Sequence, residues 1–496
     1  MESLEKTKKV KWWKKPVLWV QTTYFAEGYP YTIIHSLPEI LFKEMGASLE
    51  AIGLTSLFHL PWNLKFLWGP LLDQFGTKRL WLLWIEIFLS VLLVSLSFLV
   101  AGKTFFLISV VLFLMAILAA THDISIDGFY LEALNEEDQA KYVGYRAMAW
   151  RVAYILVSGP IVIFVGKVGW ELGFLALAIM MFLLLFYHWK ALPKVETPEN
   201  PLKALFQGVW RWKILATSFL IATGVALENS THIISQYWQK LTSPITSLPG
   251  LSHLSAAQWV GLLLLVVLFV LLAFLPTLQR KVKKSESPFA KAYIDFLSQE
   301  KISLILIFIV LYRAGESFLT KMKYPFLKDV VGLTIDTYGL LNGTVGTLAG
   351  IIATLLGGWL IAKQGLRRWI WPFVLAQNVL NLLYMWLANY ASHQPVSLWV
   401  SGSVICLEQF GAGLGTAVFM VYLLRCVDPR HKAAHMAILT ALMSLSFTVA
   451  GVMSGFLADA VGFSSYFGLS FLITVPSMVM ILFIPHLDGR EKPESP

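Results

Sequence analysis

The chain is short of cysteine and of charge. Its 496 residues include two cysteines, Cys406 and Cys426. On one helical stretch these would stand about 30 Å apart, too far for a disulfide. Charged residues make up 14% of the chain and hydrophobic ones 57%. That is too little polar surface for a water-soluble globule of this length. No G-x-S-x-G, H-E-x-x-H or phosphate-cradling glycine loop occurs, so the common hydrolase, zinc-protease and nucleotide signatures are missing. His35, His122, His188, Glu228 and His232 are scattered, without the close spacing of a metal site. Neither a metal nor a cofactor is expected. The chain has no polar block large enough for a soluble domain, which argues against a signalling sensor and against a nucleic-acid-binding surface.

What the chain does have is apolar runs of twenty residues or more, enough to cross about 30 Å of hydrocarbon. Fourteen spans are predicted: 17–41, 49–71, 79–101, 105–134, 140–165, 168–189, 213–237, 259–279, 302–327, 334–361, 368–389, 397–424, 433–457 and 462–485. With the first tail inside, 28 of the 39 Lys and Arg fall on inner segments or at their edges. Five fall on outer ones (Lys43, Lys103, Lys167, Lys240 and Lys328). The positive-inside rule then places both termini in the cytoplasm. The net charge of +9 reports topology and anionic lipid rather than nucleic acid. The expected class is an all-α polytopic membrane protein, read as a monomer in the lipid bilayer.

A repeat divides the chain. "GPLLDQFGTKR" (69–79) and "GWLIAKQGLRR" (358–368) share Gly69/Gly358, Gly76/Gly365, Lys78/Arg367 and Arg79/Arg368. Each follows the second span of a six-span block. Two parallel six-helix halves are an architecture of secondary transporters, with the solute site between the halves. The division expected is 1–190 for the first half, 191–301 for a linker with two extra spans, and 302–496 for the second half and tail. The inserted spans should pack peripherally. Glycines let helix ends approach closely, and Asp73 stands only in the first copy, where Ala362 is its counterpart. Gly69, Asp73, Gly76, Lys78 and Arg79 are therefore read as a hinge with an acidic latch.

The pattern G-x-L-x-D-x-x-G-x-K-R resembles motif A of the major facilitator superfamily. "LKFLWGPLLDQF" (64–75), "HDISIDGFYLEAL" (122–134), "VLYRAGESF" (310–318), "LNGTVGTLAG" (341–350) and "FGAGLGTAVFMVYLL" (410–424) together resemble the AmpG muropeptide permease family over most of the chain. The resemblance implies a major facilitator fold with two inserted helices. It also implies proton-coupled import of N-acetylglucosamine–anhydro-N-acetylmuramyl peptides across a Gram-negative inner membrane. The family commonly has Gln where this chain has His122. Relatives carry siderophores and acetyl-CoA, so another bulky solute is the alternative cargo.

Ionisable groups inside spans cost about 2.5–3.5 kcal/mol each on insertion scales and so mark pathways. Asp123 and Asp127 lie four residues apart, on one helix face. The returning span brings Arg146 level with Asp127, and Arg151 close to the depth of Asp123. Arg146 and Arg151 differ by about 140° around their helix, so both cannot pair equally well. Asp127–Arg146 is the expected ion pair, which leaves Asp123, beside His122, as the less compensated and more titratable acid. Glu27 lies beside Gly28 and Pro30 among Tyr24, Tyr29 and Tyr31; Arg313 and Glu316 lie at i, i+3. Lys321 and Lys323 either join a lining or snorkel outward. Asp123, Glu316 and Glu27 are the candidate proton carriers. Tyr24, Lys65, His122, Arg151, Arg313 and Asn342 are the candidate contacts for a small glycopeptide solute, with aromatic faces for sugars and bases for carboxylates.

Overall fold

The computed structural model describes residues 11–65, 68–197, 201, 296, 298–299, 301–427 and 432–488. The inserted spans expected at 213–237 and 259–279 lie outside the described residues, as does the Asp73 side chain.

Helix α1 (Pro16–Glu44) opens on a proline, whose missing N–H is harmless in a first turn. The second pass is not the unbroken span expected over 49–71. It runs as α2 (Leu49–Leu54), a 3-10 segment (Thr55–His59), α3 (Leu60–Leu64) and α4 (Gly69–Gln74). Pro61 is the physical reason near its centre, since it removes a donor from the ladder. Four longer passes follow: α5 (Lys78–Leu99), α6 (Phe105–Ala133), then α7 (Glu136–Leu156) with α8 (Val162–Val168), and α9 (Trp170–Ala191). A π-helical turn, Val157–Ile161, joins α7 to α8 around Pro160.

The later helices are α10 (Ile302–Asp329), α11 (Ile335–Tyr338), a π segment (Gly339–Gly346), α12 (Thr347–Gln364), α13 (Leu366–Val379), α14 (Leu382–Ala391), α15 (Leu398–Cys426) and α16 (Lys432–Met480). Gly462, at φ 74°, turns α16 back on itself, so it makes two passes. Nine helices among the described residues are long and apolar enough to cross a bilayer. Their outer faces are apolar and uncovered, with Phe98 75% and Leu355 70% exposed; such faces belong against lipid.

The early helices pack mainly among themselves, as α1 on α7 and α5 on α6 and α9; the later ones do the same, as α10 on α16 and α12 on α15. The two sets also meet through α2 on α16, α8 on α11, α1 on α10, and the two π segments on each other. Several of these contacts gather at the end of the bundle that carries loops 45–48 and 330–334. Lys43 pairs there with Asp329, and Lys328 and Tyr324 converge on Glu44. Deeper in, Lys321 donates to Thr55 Oγ1 at 2.6 Å and lies 3.7 Å from Glu39. Lys321 and Lys323 are 2% and 4% exposed, so neither snorkels outward.

Close backbone approach makes this end tight. A Cβ on Gly343 would sit 1.8 Å from the carbonyl oxygen of Ser158, and one on Gly455 would sit 2.1 Å from that of Leu49. Gly343→Ala should therefore wedge the π segments apart at a cost of about 1–3 kcal/mol. A lower melting temperature and faster thiol labelling of a cysteine placed at Ser158 are expected. Unchanged stability and labelling would show that this contact does not hold the end shut.

Candidate functional site

A central cavity of about 390 Å³ opens between the two sets of helices. From α1 come Tyr31, His35, Ser36 and Glu39; the broken second pass adds His59, and α7 adds Trp150 and Tyr154. The later helices contribute Arg313, Glu316 and Lys323 from α10, Asn342 from the π segment, and Glu408 and Gln409 from α15. The irregular second pass places His59 here. Its ring centre lies 3.6 Å from that of His35 with the planes tilted by 37°, and non-helical backbone at this depth is tolerated where it borders a cavity.

Charges in the lining come in pairs. Arg313 bonds Glu316 one turn along and lies 5.1 Å from the centre of the Phe419 ring. Lys323 donates to Glu408 Oε2 at 2.5 Å. Asn342 accepts from Gln409 at 2.8 Å and donates to Tyr338 at 3.0 Å. The candidates Arg313, Glu316 and Asn342 thus share one cavity.

A second polar cluster lies within the early helices. Tyr24 donates to Asp127 at 2.6 Å, and Arg146 lies 3.3 Å from the same carboxylate with its guanidinium over the Tyr24 ring at 4.4 Å. Asp123, expected to be the less compensated acid, has a base of its own, because Lys65 reaches over from the second pass and bonds it. Matching depth within a hairpin relates neighbouring spans only, and Lys65 comes from two spans away. Glu27 Oε2 is buried and accepts no hydrogen bond from the described residues.

Two candidates go elsewhere. Arg151 is exposed, as its angle from Arg146 requires, and joins neither Asp123 nor the cavity. His122 is completely buried, with Nε2 3.5 Å from Glu86 Oε1. That oxygen also meets His188 Nδ1 at 2.6 Å, and His188 Nε2 lies 3.1 Å from Thr22. Stacking on the helix one position before Asp123 turns His122 about 100° away from it. Glu39, Glu408, Trp150 and Tyr154 were not singled out from the sequence. For the two acids the signal was available, because both are ionisable groups inside spans.

The motif loop is held from several sides. Gly76 adopts φ 72° and Thr77 caps α5 by accepting from Leu80 at 3.1 Å. Lys78 donates to Leu72 O at 2.9 Å, and its stem covers Gly128 of α6. Arg79 donates to Trp189 O at 2.8 Å and Leu192 O at 3.1 Å. Glu196, beyond α9, accepts from the backbone N–H of Lys78 and Arg79 at 2.7 and 3.3 Å. An acid at a helix N-terminus is favoured by the unpaired donors and the dipole there. Gly69 opens α4. In the second copy Arg367 meets Asp488 at 2.5 Å.

The two kinds of ion pair should behave differently. Lys323 and Glu408 are 5% and 3% exposed, whereas Arg146 and Asp127 are 34% and 47% exposed. Lys323→Met strands a buried carboxylate and should cost about 3–5 kcal/mol, largely recovered on adding Glu408→Gln. Asp127→Asn should cost less, about 1 kcal/mol, because solvent partly screens a half-exposed pair. Thermal unfolding of the three variants checks this; equal losses for the two single variants would refute the contrast.

The model of the Major Facilitator Superfamily matches residues 23–294 and 305–496. An uncharacterized protein of Haemophilus influenzae is 24% identical over 485 residues, covering 95% of each chain. The anhydromuropeptide permease of Escherichia coli K12 is 24% identical over 466 residues, covering 92% of this chain and 77% of the relative. Among solved structures, a peptide transporter POT in complex with sulfate superposes with a TM-score of 0.65 at 14% identity, covering 96% of each chain. With an all-helical fold and many bilayer-length helices already in view, the chain belongs to the Major Facilitator Superfamily: it is a multi-pass transporter of the inner membrane, not an enzyme.

Proposed function

We propose that this transporter imports anhydro-muropeptides, the glycopeptides released by wall turnover, in symport with protons. The observation that carries the reading is the central cavity, where aromatic rings and paired charges from two sets of helices face one space. A glycopeptide offers sugar faces, amides and carboxylates, which such a lining can meet. The similarity to the anhydromuropeptide permease supports the same cargo.

The mechanism follows from two six-helix halves, residues 1–190 and 302–496, that close on each other at one end at a time. With both termini cytoplasmic, the end sealed by Lys43–Asp329 and Glu44–Lys328 is the outer one, and the conformation is inward-facing. Opening that end requires these pairs to part and the π segments to separate, while the motif loop near Gly76 acts as the inner hinge. Proton coupling is assigned to Asp123. Lys65 holds its carboxylate; a proton taken up there from outside would release Lys65 and change what the early helices hold together. Glu27 and Glu316 are the other candidates for this role. The protein works as a monomer in the bilayer.

Membrane vesicles with an alkaline interior should accumulate labelled anhydro-muropeptide, and a protonophore should abolish accumulation. Uptake that survives the protonophore would remove proton coupling. Transport of a siderophore or an acyl-CoA instead would replace the cargo.

Asp123→Asn mimics the protonated acid. It should abolish uphill accumulation while sparing exchange of labelled for unlabelled solute, which needs no net proton movement. A variant that still concentrates solute would move the proton site to Glu27 or Glu316, and Glu27→Gln and Glu316→Gln would then distinguish them.

A further inference from the structure

The cavity is chemically two-sided. Its early-helix wall is mainly aromatic. Tyr31 lies 5.4 Å from Trp150, centre to centre, and Trp150 stacks on Tyr154 at 6.0 Å with planes 11° apart. His35 and His59 continue the ring surface, with His35 4.0 Å from Tyr31. The carboxyl group this wall adds is Glu39, 3.7 Å from Lys321 of the opposite set. The later-helix wall is ionic and amide-rich: Arg313, Glu316, Lys323, Glu408, Asn342 and Gln409. Tyr338 and Phe447 are its aromatic members.

A glycopeptide is two-sided in the same way. The C–H faces of pyranose rings pack on flat aromatic surfaces, and a stem peptide carries carboxylates, ammonium groups and amides. Arg313 is the base placed to receive a carboxylate, since its present partner Glu316 is its own helix neighbour and can let go without moving a helix. A planar guanidinium binds a carboxylate through two parallel hydrogen bonds. We propose, resting on the muropeptide reading, that the cargo lies across the cavity in one orientation. The disaccharide docks on the Tyr31–Trp150–Tyr154 wall, and the stem peptide docks on the Arg313 wall. Each half of the transporter then grips a different half of the solute, and simultaneous occupation of both walls draws the halves together.

The test measures equilibrium binding to the purified full chain with two ligands. One is the intact anhydro-muropeptide; the other is its peptide-free disaccharide with the lactyl carboxyl capped as an amide. Trp150→Leu keeps much of the volume and removes the ring face. It should weaken both ligands by a similar factor, about tenfold for the loss of one central anchor. Tyr154→Leu gives a second reading of the same wall should Trp150→Leu fail to fold. Arg313→Gln combined with Glu316→Gln removes the pair without stranding either charge. It should weaken the intact ligand about tenfold and leave the peptide-free one unchanged. Equal losses for both ligands in the double variant would overturn the orientation, as would unchanged binding in both aromatic variants. A wild-type protein that binds the intact ligand but not the disaccharide overturns it too. A wild-type protein that binds neither ligand overturns the muropeptide reading itself and the orientation with it.

Discussion

A charged side chain held in a bilayer costs about 2.5–3.5 kcal/mol on insertion scales, and this chain carries many such groups into its interior. The structure answers with opposite charges. Lys65 meets Asp123, Arg146 meets Asp127, Arg313 meets Glu316, Lys321 meets Glu39 and Lys323 meets Glu408. Each pair fixes a distance between two helices or two turns, so the bundle's geometry is tied to its electrostatics. The same pairing makes the interior adjustable. Removing or replacing one partner changes which helices or turns are held together.

Close helix contact and reversible contact impose opposite demands on the sealed end. Glycines at 343 and 455 let backbones approach where a methyl group would collide, which maximises dispersion over a small area. The ion pairs around them sit at helix ends, where water is near and separation is inexpensive. Breaks in the helices fall beside the same region: the 3-10 segment, the π turn around Pro160 and the π segment at Gly339–Gly346. Local departures from regular helix are sites where a rigid rod can bend.

The repeated loop carries a symmetry beyond the residues it conserves. In each copy a base or backbone donor of the motif meets an acid that follows the sixth pass of its own block: Glu196 in the first and Asp488 in the second. Glu196 lies just beyond α9, so the motif loop is tied to the chain that leaves the sixth pass.

Much of the architecture was legible in the chain alone. Apolar runs of bilayer length, basic loops on one side and a motif written twice required membrane passes, since hydrocarbon leaves the backbone no partners but its own. The Asp127–Arg146 contact was legible for a local reason: neighbouring antiparallel helices share depth, so position in sequence gives position in space. Lys65 against Asp123, Glu86 against His122 and His188, and Lys321 against Glu39 were not legible. These residues come from helices whose adjacency depends on how the whole bundle closes, and a single sequence carries depth but not azimuth between distant passes. The aromatic wall of Trp150 and Tyr154 was hidden likewise, because rings in a membrane helix look the same whether they face lipid, a neighbour or a cavity. Tertiary packing alone decided which side they face, by bringing the ionic wall of α10 and α15 opposite them.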